Sequence, residues 1–263
     1  MKSQGHPARD ALFLYLGAMG TKPYGTAMQT QDVMTYLRRR ASARNVEGMA
    51  RYGINRRGAL GVPMPVLRAL ARRIGPDHAL AERLWRTGGH EARILAGLIA
   101  EPMKLTGAWM EHWVRGFDSW DVCDQVCSNL FDKSPMAWAK ARVWAGREEE
   151  FVKRAGFVLM AALSVHDKKA PDAVFRAFFP LIRREARDER NFVKKAVNWA
   201  LRQIGKRNER LRVTAIKTAQ SIRRLKSRSA RWIAADALRE LNARKSESSK
   251  AVKRRRIKKR NHK

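Results

Sequence analysis

Apolar residues recur at the three- to four-residue spacing of amphipathic helices along almost the whole chain, from residue 10 to residue 241. Strict alternation of apolar and polar positions, which would indicate β-strands, is nearly absent. Short segments rich in glycine, proline or charged residues divide the pattern into helices of roughly 10–20 residues joined by short loops. These interruptions fall at residues 20–25, 58–65, 75–76, 88–89, 102–107, 116–119, 133–135, 167–171, 187–190 and 205–208. The pattern therefore predicts an all-α fold.

Four segments within the predicted helical pattern share a local sequence, a basic residue followed by small and apolar positions. They start at Arg93, Arg154, Lys195 and Arg231, so the steps are 61, 41 and 36 residues, and a further apolar segment at 120–131 lies between the first two. Helix pairs that recur at about 30–45 residues are typical of HEAT and armadillo α-solenoids. We therefore predict an α-solenoid in which the repeated basic positions line one surface. An ordinary helical bundle with accidental similarity is the alternative.

The net charge of +32, from 56 Lys and Arg against 24 Asp and Glu among 263 residues, narrows the range of functions. A field of this sign and size attracts polyanions and makes their binding depend strongly on salt. The hydrophobic share of 44% is ample for a buried core, so disorder is expected only at the ends. Composition favours nucleic acid as a partner, and it leaves open a ribosome-associated or simply soluble basic protein.

The chain divides into three segments by composition and pattern. Residues 1–50 are expected to form N-terminal helices, in one compact unit with the repeat domain at 51–242. Residues 243–263 are rich in Lys and Arg and are expected to be a disordered basic tail that contacts phosphates, or only a solvated end. Residues 11–20 are apolar, but the amphipathic continuation argues against a signal peptide. No run reaches the roughly 18 apolar residues of a membrane span, so we expect a cytosolic protein.

Metal and cofactor chemistry find no support in the sequence. Cys123 and Cys127 lie four apart in an apolar segment, where a disulfide within one helix fits badly, so reduced, buried thiols are expected. The six His show no ligand spacing, and no metal site is expected. Glycine-rich phosphate loops, nucleophile elbows and zinc-hydrolase helices are missing from the sequence, which argues against nucleotide hydrolysis and zinc hydrolysis.

Trp120 and Asp124 are the first candidates for chemistry. They lie one helical turn apart, at the edge of a predicted buried face. An aromatic ring and a carboxylate therefore lie next to each other at the boundary between the core and the solvent. The alternative makes Trp120 a core residue and Asp121 or Asp124 a first-turn charge favoured by the helix dipole. The buried face is predicted to comprise Val122, Cys123, Val126, Cys127 and Leu130.

A second candidate surface lies on the predicted helix 191–208. Lys195, Trp199, Arg202 and Lys206 follow i, i+4, i+7, i+11 spacing and form a basic stripe with a tryptophan set into it. An indole among cations suits a polyanion with flat sugars and bases. A solvated face with one tryptophan at the edge of the core is the alternative. The opposite face is predicted to be buried through Phe192, Val193, Ala196, Val197, Ala200, Leu201 and Ile204.

Arg154 begins a strongly apolar helix and must reach an anion, a carbonyl or water. A phosphate, Asp121 and Asp124 are all possible partners, and the sequence does not choose among them. The remaining tryptophans are expected to pack between repeats: Trp85, Trp109, Trp113, Trp138, Trp144 and Trp232.

Several stretches in order between residues 51 and 241 together resemble the bacterial DNA alkylation repair enzyme family, the HEAT-like repeat DNA glycosylases related to AlkC and AlkD. Residues 1–50 match this family poorly, and Ser119 stands where some relatives carry a second aromatic residue. The stretches are Arg51-Tyr-Gly-Ile, Ala59-Leu-Gly-Val-Pro-Met-Pro, His90-Glu-Ala-Arg-Ile-Leu-Ala, Phe117-Asp-Ser-Trp-Asp-Val-Cys-Asp, Glu150-Phe-Val-Lys-Arg-Ala and Arg190-Asn-Phe-Val-Lys-Lys-Ala-Val-Asn-Trp-Ala-Leu-Arg.

The resemblance implies excision of cationic lesions such as 3-methyladenine and 7-methylguanine from double-stranded DNA, without a deep pocket for the base. It implies that Asp124 is the catalytic aspartate and that Trp120 is its neighbouring aromatic residue. It also implies that Arg154 contacts a phosphate and that Trp199 is a second aromatic residue facing the sugar. Lys195, together with Arg202 and Lys206 on the same stripe, would hold flanking phosphates. No metal, organic cofactor, membrane or obligate protein partner is implied, and a monomer is expected.

The expected reaction is chemically coherent. Alkylation at a ring nitrogen makes the base a cationic leaving group, and its departure leaves positive charge on the deoxyribose. A fixed carboxylate stabilises that charge and orients the attacking water. Two alternatives remain at this point: a non-catalytic HEAT-like nucleic-acid binder or damage sensor, and a protein–protein scaffold or ribosome-associated factor.

Overall fold

The computed structural model describes residues 28–243, and within that range all regular structure is helical. Two 3-10 turns, Pro102–Lys104 and Phe131–Lys133, accompany the α-helices. The α-helices are α1 (Thr30–Arg38), α2 (Ala43–Arg51), α3 (Met64–Ile74), α4 (His78–Arg86), α5 (His90–Ile99), α6 (Gly107–Arg115), α7 (Trp120–Asn129), α8 (Ala137–Ala145), α9 (Glu150–His166), α10 (Asp172–Arg176), α11 (Phe179–Glu185), α12 (Asn191–Lys206), α13 (Glu209–Arg223) and α14 (228–243).

The helices pack in two rows. The inner row consists of α5, α7, α9, α12 and α14; each of the first three packs on the next, and polar side chains join α12 to α14. The outer row consists of α4, α6, α8, α11 and α13, which are joined by side-chain contacts or direct packing. Helices of the two rows pack as pairs, such as α4 with α5 and α8 with α9. The arrangement is the predicted α-solenoid of HEAT-like repeats.

The helices of the inner row run parallel. Cys123 Sγ of α7 lies 3.8 Å from the Phe151 carbonyl oxygen of α9, and Cys127 Sγ lies 4.0 Å from that of Ala155, so the contacts advance in the same direction along both helices. The hydrogen-bonded pairs Asn198–Asp236 and Arg202–Glu240, between α12 and α14, are likewise both offset by 38 residues. The N-terminal ends of these helices therefore share one edge of the solenoid, where their dipoles favour anions.

Close packing between the rows depends on small residues. Gly156 of α9 lies against the backbone of α8, and a Cβ at this position would lie 2.8 Å from the Cα of Ala145. Within the inner row, a Cβ on Gly97 of α5 would lie 2.9 Å from Cγ2 of Val126 of α7. These glycines set the close approach of the helices that position the candidate site.

The predicted buried faces agree with the structure. Each predicted residue of the α7 face is fully buried, and so is each one of the α12 face except Phe192, which is half-buried. Cys123 and Cys127 are free and buried. The apolar stretch 11–20 and the basic tail lie outside the described residues except for Ala243, and the predicted segment boundaries stay predictions. Within residues 28–243, no helix is both long enough and apolar enough to cross a membrane.

Five of the six tryptophans expected to pack between repeats do so. Trp85, Trp113 and Trp144 are buried, and Trp109 and Trp138 pack against the core. The expectation was wrong for Trp232, which is 42% exposed on α14. The predicted row of basic positions was also only partly right, because Arg93 and Arg154 are buried in ion pairs whereas Lys195 and Arg231 are exposed.

Candidate functional site

Asp124 of α7 and Arg154 of α9 form a bidentate ion pair between neighbouring inner helices. Arg154 Nε and Nη2 donate to the two carboxylate oxygens at 2.9 and 2.8 Å, and Nη1 donates to the Phe192 carbonyl of α12 at 2.6 Å. The Arg154 side chain is 6% exposed and that of Asp124 is 16% exposed. The guanidinium thus ties three successive inner helices together and fixes the orientation of the carboxylate. Among the partners that the sequence left open, the structure selects Asp124.

Trp120 is the first residue of α7, one turn before Asp124, and is half-buried. Its indole Nε1 donates to the Tyr52 carbonyl at 3.0 Å, which anchors the ring to the loop after α2. The guanidinium carbon of Arg154 lies 6.0 Å from the ring centroid, at the outer limit of a cation–π contact. The aromatic ring, the carboxylate and the guanidinium therefore form one cluster at the edge of the core.

A cavity of about 440 Å³ opens beside this cluster. It contains three basic side chains, one from each of α2, α9 and α12, and no acidic side chain. The lining residues are Arg51, Tyr52, Gly53, Trp120, Arg154, Asn191, Phe192 and Lys195. A cavity of about 520 Å³ lies at the other ends of α9 and α12, but it is lined by neither Trp120 nor Arg154. The smaller cavity is therefore the candidate site, because the aromatic ring and the guanidinium that holds Asp124 both line it.

Burial and charge act in opposite directions on Asp124. Removal from water raises the pKa of the Asp124 carboxyl, and Arg154 lowers it only in part, so the pKa lies above its ordinary value. Burial opposes the charge of Arg154 as well, but Asp124 outweighs that effect and raises the pKa of the guanidinium. A carboxyl with a raised pKa, held by an arginine that lines a cationic cavity, is a typical feature of a functional site.

Asp121, the other acid considered for this helix, is engaged elsewhere. It accepts hydrogen bonds from His90 Nε2 at 2.8 Å and from the Ser119 hydroxyl at 2.6 Å. Burial would raise the pKa of Asp121, but the contacts with His90 and Ser119 outweigh it and lower the pKa below its ordinary value. Ser119 also accepts from the Asn55 backbone N–H at 3.2 Å, so it fixes the start of α7 against the preceding loop.

The basic stripe on α12 splits into two parts. Lys195 is exposed and lines the cavity, whereas Trp199 is half-buried against the core and is not among the lining residues. Arg202 and Lys206 are ion-paired with Glu240 of α14, at 2.6 and 2.7 Å. The spacing along α12 does not reveal this carboxylate, which α14 supplies, and the phosphate contacts expected of Arg202 and Lys206 stay predictions.

Comparison with protein-family models matches residues 33–241 to the family described as DNA alkylation repair enzyme. This match spans nearly all of the residues that the structure describes. The chain belongs to the DNA alkylation repair enzyme family.

A solved structure supports the fold of this family member. It is described as belonging to a new family of proteins related to the HEAT-like repeat DNA glycosylases with affinity for branched DNA structures. The two chains superpose with a TM-score of 0.68 at 20% sequence identity, over 81% of this chain and 95% of the other. At this identity the likeness shows the fold. No curated protein matches the chain.

Sequence reasoning missed the loop that closes the cavity of this DNA alkylation repair family member. Arg51, Tyr52 and Gly53 line the cavity opposite α12, and Tyr52 is 72% exposed. Gly53 has a φ of +68°, a conformation that favours glycine, and a Cβ there would lie 3.0 Å from the Phe192 ring. The Tyr52-Gly53 pair directly after α2 was the signal in the sequence that could have indicated this loop. Among the residues that the structure describes, no cluster of His, Cys, Asp or Glu could hold a metal ion.

Proposed function

We propose that this protein is a DNA glycosylase that excises cationic alkylated purines, such as 3-methyladenine and 7-methylguanine, from duplex DNA. The proposal depends on one observation: the Asp124 carboxylate is held in a fixed orientation by Arg154, one turn from Trp120, beside a cavity walled by cations. Such an arrangement suits a reaction in which positive charge develops on a sugar whose flanking phosphates are anionic.

The proposed reaction needs no cofactor. Water adds to C1′ of the deoxyribose as the glycosidic bond breaks, and the base leaves with the bonding electrons, which neutralise its ring charge. Asp124 stabilises the positive charge on the sugar, orients the water and takes up its proton. The ring of Trp120 packs against the sugar and adds cation–π attraction.

The cationic residues act on the DNA backbone in this proposal. Lys195 and Arg51 are exposed and contact phosphates that flank the lesion. Arg154 holds Asp124 and places its guanidinium at the cavity, while Trp199 contacts the sugar from the α12 side. Arg202 and Lys206 extend the phosphate contacts along α12 only when their ion pairs with Glu240 open.

Release of free methylpurine from methylated duplex DNA tests the proposal. Asp124→Asn keeps the size of the side chain and one acceptor for Arg154 but removes the charge, so we expect base release to fall by at least about 100-fold while most DNA affinity remains. The matched control is Asp118→Asn, because Asp118 also pairs with an arginine, Arg93, at 2.7 Å. The control should release base normally. Undiminished release by Asp124→Asn would refute the assignment.

A second candidate function is binding of branched DNA without base excision. It is favoured by the description of the solved structure and by the pairing of both Asp124 oxygens with Arg154, which offsets the carboxylate charge. If the wild-type protein releases no methylpurine yet binds branched DNA more tightly than a linear duplex, this second function replaces the first.

A further inference from the structure

Trp232 is a large aromatic side chain that the proposed base-release chemistry does not use. It lies in the second turn of α14 and is 42% exposed, although most tryptophans of this chain are buried or packed against the core. Tryptophan is enriched at binding interfaces, because its large ring supplies apolar contact area and its N–H donates a hydrogen bond. Its surroundings therefore decide which partner fits it.

The neighbours of Trp232 are basic. Lys194 of α12 places its Nζ 5.4 Å from the centroid of the Trp232 ring. Arg228 and Arg231, one turn before it and directly before it on α14, are exposed, and neither side chain pairs with an acid in the described part of the protein. The Glu189 carboxylate accepts from the backbone N–H of Arg228 at 3.0 Å and so fixes the first turn of α14 that carries this group.

The Trp232 group lies close to the proposed catalytic cavity. Lys194, which contacts Trp232, directly precedes Lys195, which lines the cavity. Neighbouring helices pack at about 8–10 Å, so Trp232 lies roughly one inner-row helix beyond the cavity, a distance of about three nucleotides. A DNA strand held at Lys195 therefore reaches Trp232 without leaving the inner row.

We propose that Trp232, with Lys194, Arg228 and Arg231, is a stacking site for an unpaired DNA base next to the duplex held at the cavity. Cations around an aromatic ring are the combination that binds single-stranded nucleic acid, because phosphates contact the cations and a base stacks on the ring. Bases inside a duplex are already stacked and paired, so the indole favours a strand that has left the duplex. This site rests on the proposed binding of duplex DNA at Lys195, but not on base excision.

The test compares the affinity for undamaged DNA of two kinds: a blunt duplex, and the same duplex with a single-stranded extension of about five nucleotides on either strand. The wild-type protein should bind the extended duplex at least about fivefold more tightly. Trp232→Ala should remove this preference and leave the blunt-duplex affinity within about twofold, whereas Trp232→Phe should keep most of it because a ring remains. Val213→Ala, which shortens a side chain that is 43% exposed on outer helix α13, is the matched control and should change neither affinity.

An extension without bases separates stacking from simple phosphate contact. With abasic nucleotides in the extension, the wild-type preference should disappear. Three outcomes would each overturn the proposal. The wild-type protein could show no preference for the extended duplex, it could keep its full preference with the abasic extension, or Trp232→Ala could lose affinity equally for both duplexes. These measurements use unmethylated DNA, so a failure of the glycosylase proposal leaves their result interpretable.

Discussion

At the scale of single residues, the protonation state of Asp124 sets an expected pH dependence. Stabilisation of a cationic sugar requires the ionised carboxylate, and burial raises the pKa of Asp124 above its ordinary value. Base release should therefore fall as the pH decreases, with an apparent pKa above about 3.9, the usual value for aspartate. Single-turnover release of 7-methylguanine across acid pH, corrected for loss without enzyme, measures this limb. A limb at or below the usual aspartate value would contradict the role of Asp124.

Removal of Arg154 should raise the pKa of Asp124 further. Arg154 lowers the pKa of Asp124, so Arg154→Met leaves a largely buried carboxylate without its positive partner and raises that pKa again. We expect the variant to lose about 2–4 kcal/mol of unfolding free energy at neutral pH. Part of the loss should be recovered as the pH falls through the raised pKa of Asp124, because the neutral carboxyl is less costly to bury.

Urea unfolding of Arg154→Met at neutral and at acid pH measures both effects. Arg93→Met is the matched control: its partner Asp118 is 41% exposed, so that carboxylate stays hydrated when the arginine is lost. The control should show a smaller loss and little recovery at acid pH. A loss that is equal at both pH values in Arg154→Met would argue against an unpaired Asp124 as its cause.

The same pair shows how far sequence reasoning extends at this scale. Helical spacing places Trp120 and Asp124 at one edge of α7, and the structure puts both there. The spacing of residues along one helix does not determine how that helix is aligned with its neighbours. The sequence therefore could not identify the partner of Arg154, which depends on how α7 and α9 pack. For the same reason Glu240, 38 residues after Arg202, was invisible as its partner.

At the scale of elements, close helix packing gives a prediction for Gly156. An added Cβ would collide with backbone atoms of α8, which cannot move without displacing that helix. Gly156→Ala should therefore lower the unfolding free energy by about 1–3 kcal/mol. Gly48→Ala is the matched control, since Gly48 is helical and has no atom within 4 Å of the added Cβ, and it should stabilise by about 0.5–1 kcal/mol. Denaturant unfolding distinguishes the two signs, and a neutral Gly156→Ala would show that the two rows separate easily.

Element boundaries were predictable where glycine or proline marks them. The predicted breaks at 75–76, 88–89, 116–119 and 167–171 all fall between helices of the structure, whereas Gly205 of the predicted break at 205–208 lies within α12, which ends at Lys206. The break at 187–190 was predicted from charged residues alone, whereas the break at 224–227 went unpredicted because Leu225 continues the apolar pattern there. Without that boundary, residues 209–241 were treated as one continuous amphipathic pattern. The pattern therefore did not show that Trp232 lies on the exposed face of a separate helix, α14.

At the scale of the whole molecule, the repeat spacing and the helical period were sufficient for the fold class, because each repeat packs mainly on its neighbours. The net charge of +32 indicates a polyanionic partner but not the surface that binds it. That surface depends on which cations are already neutralised by acids. Glu240 pairs with Arg202 and Lys206 on the inner row, whereas Glu111 pairs with Lys140 and Arg147 on the outer row.

These two acids allow the DNA-binding surface to be identified by salt dependence. If duplex DNA binds along the inner row, Glu240→Gln removes the acid closest to Arg202 and Lys206, while Asp236 stays 3.4 Å from Arg202. Affinity should therefore rise, and the slope of log affinity against log salt should steepen by about 1. Glu111→Gln releases cations on the outer row and should change neither quantity. Fluorescence anisotropy with a labelled duplex at several salt concentrations measures both. A larger response to Glu111→Gln would place the DNA on the outer row, away from Asp124, and base excision at the cavity would then be excluded, because the carboxylate would face no sugar.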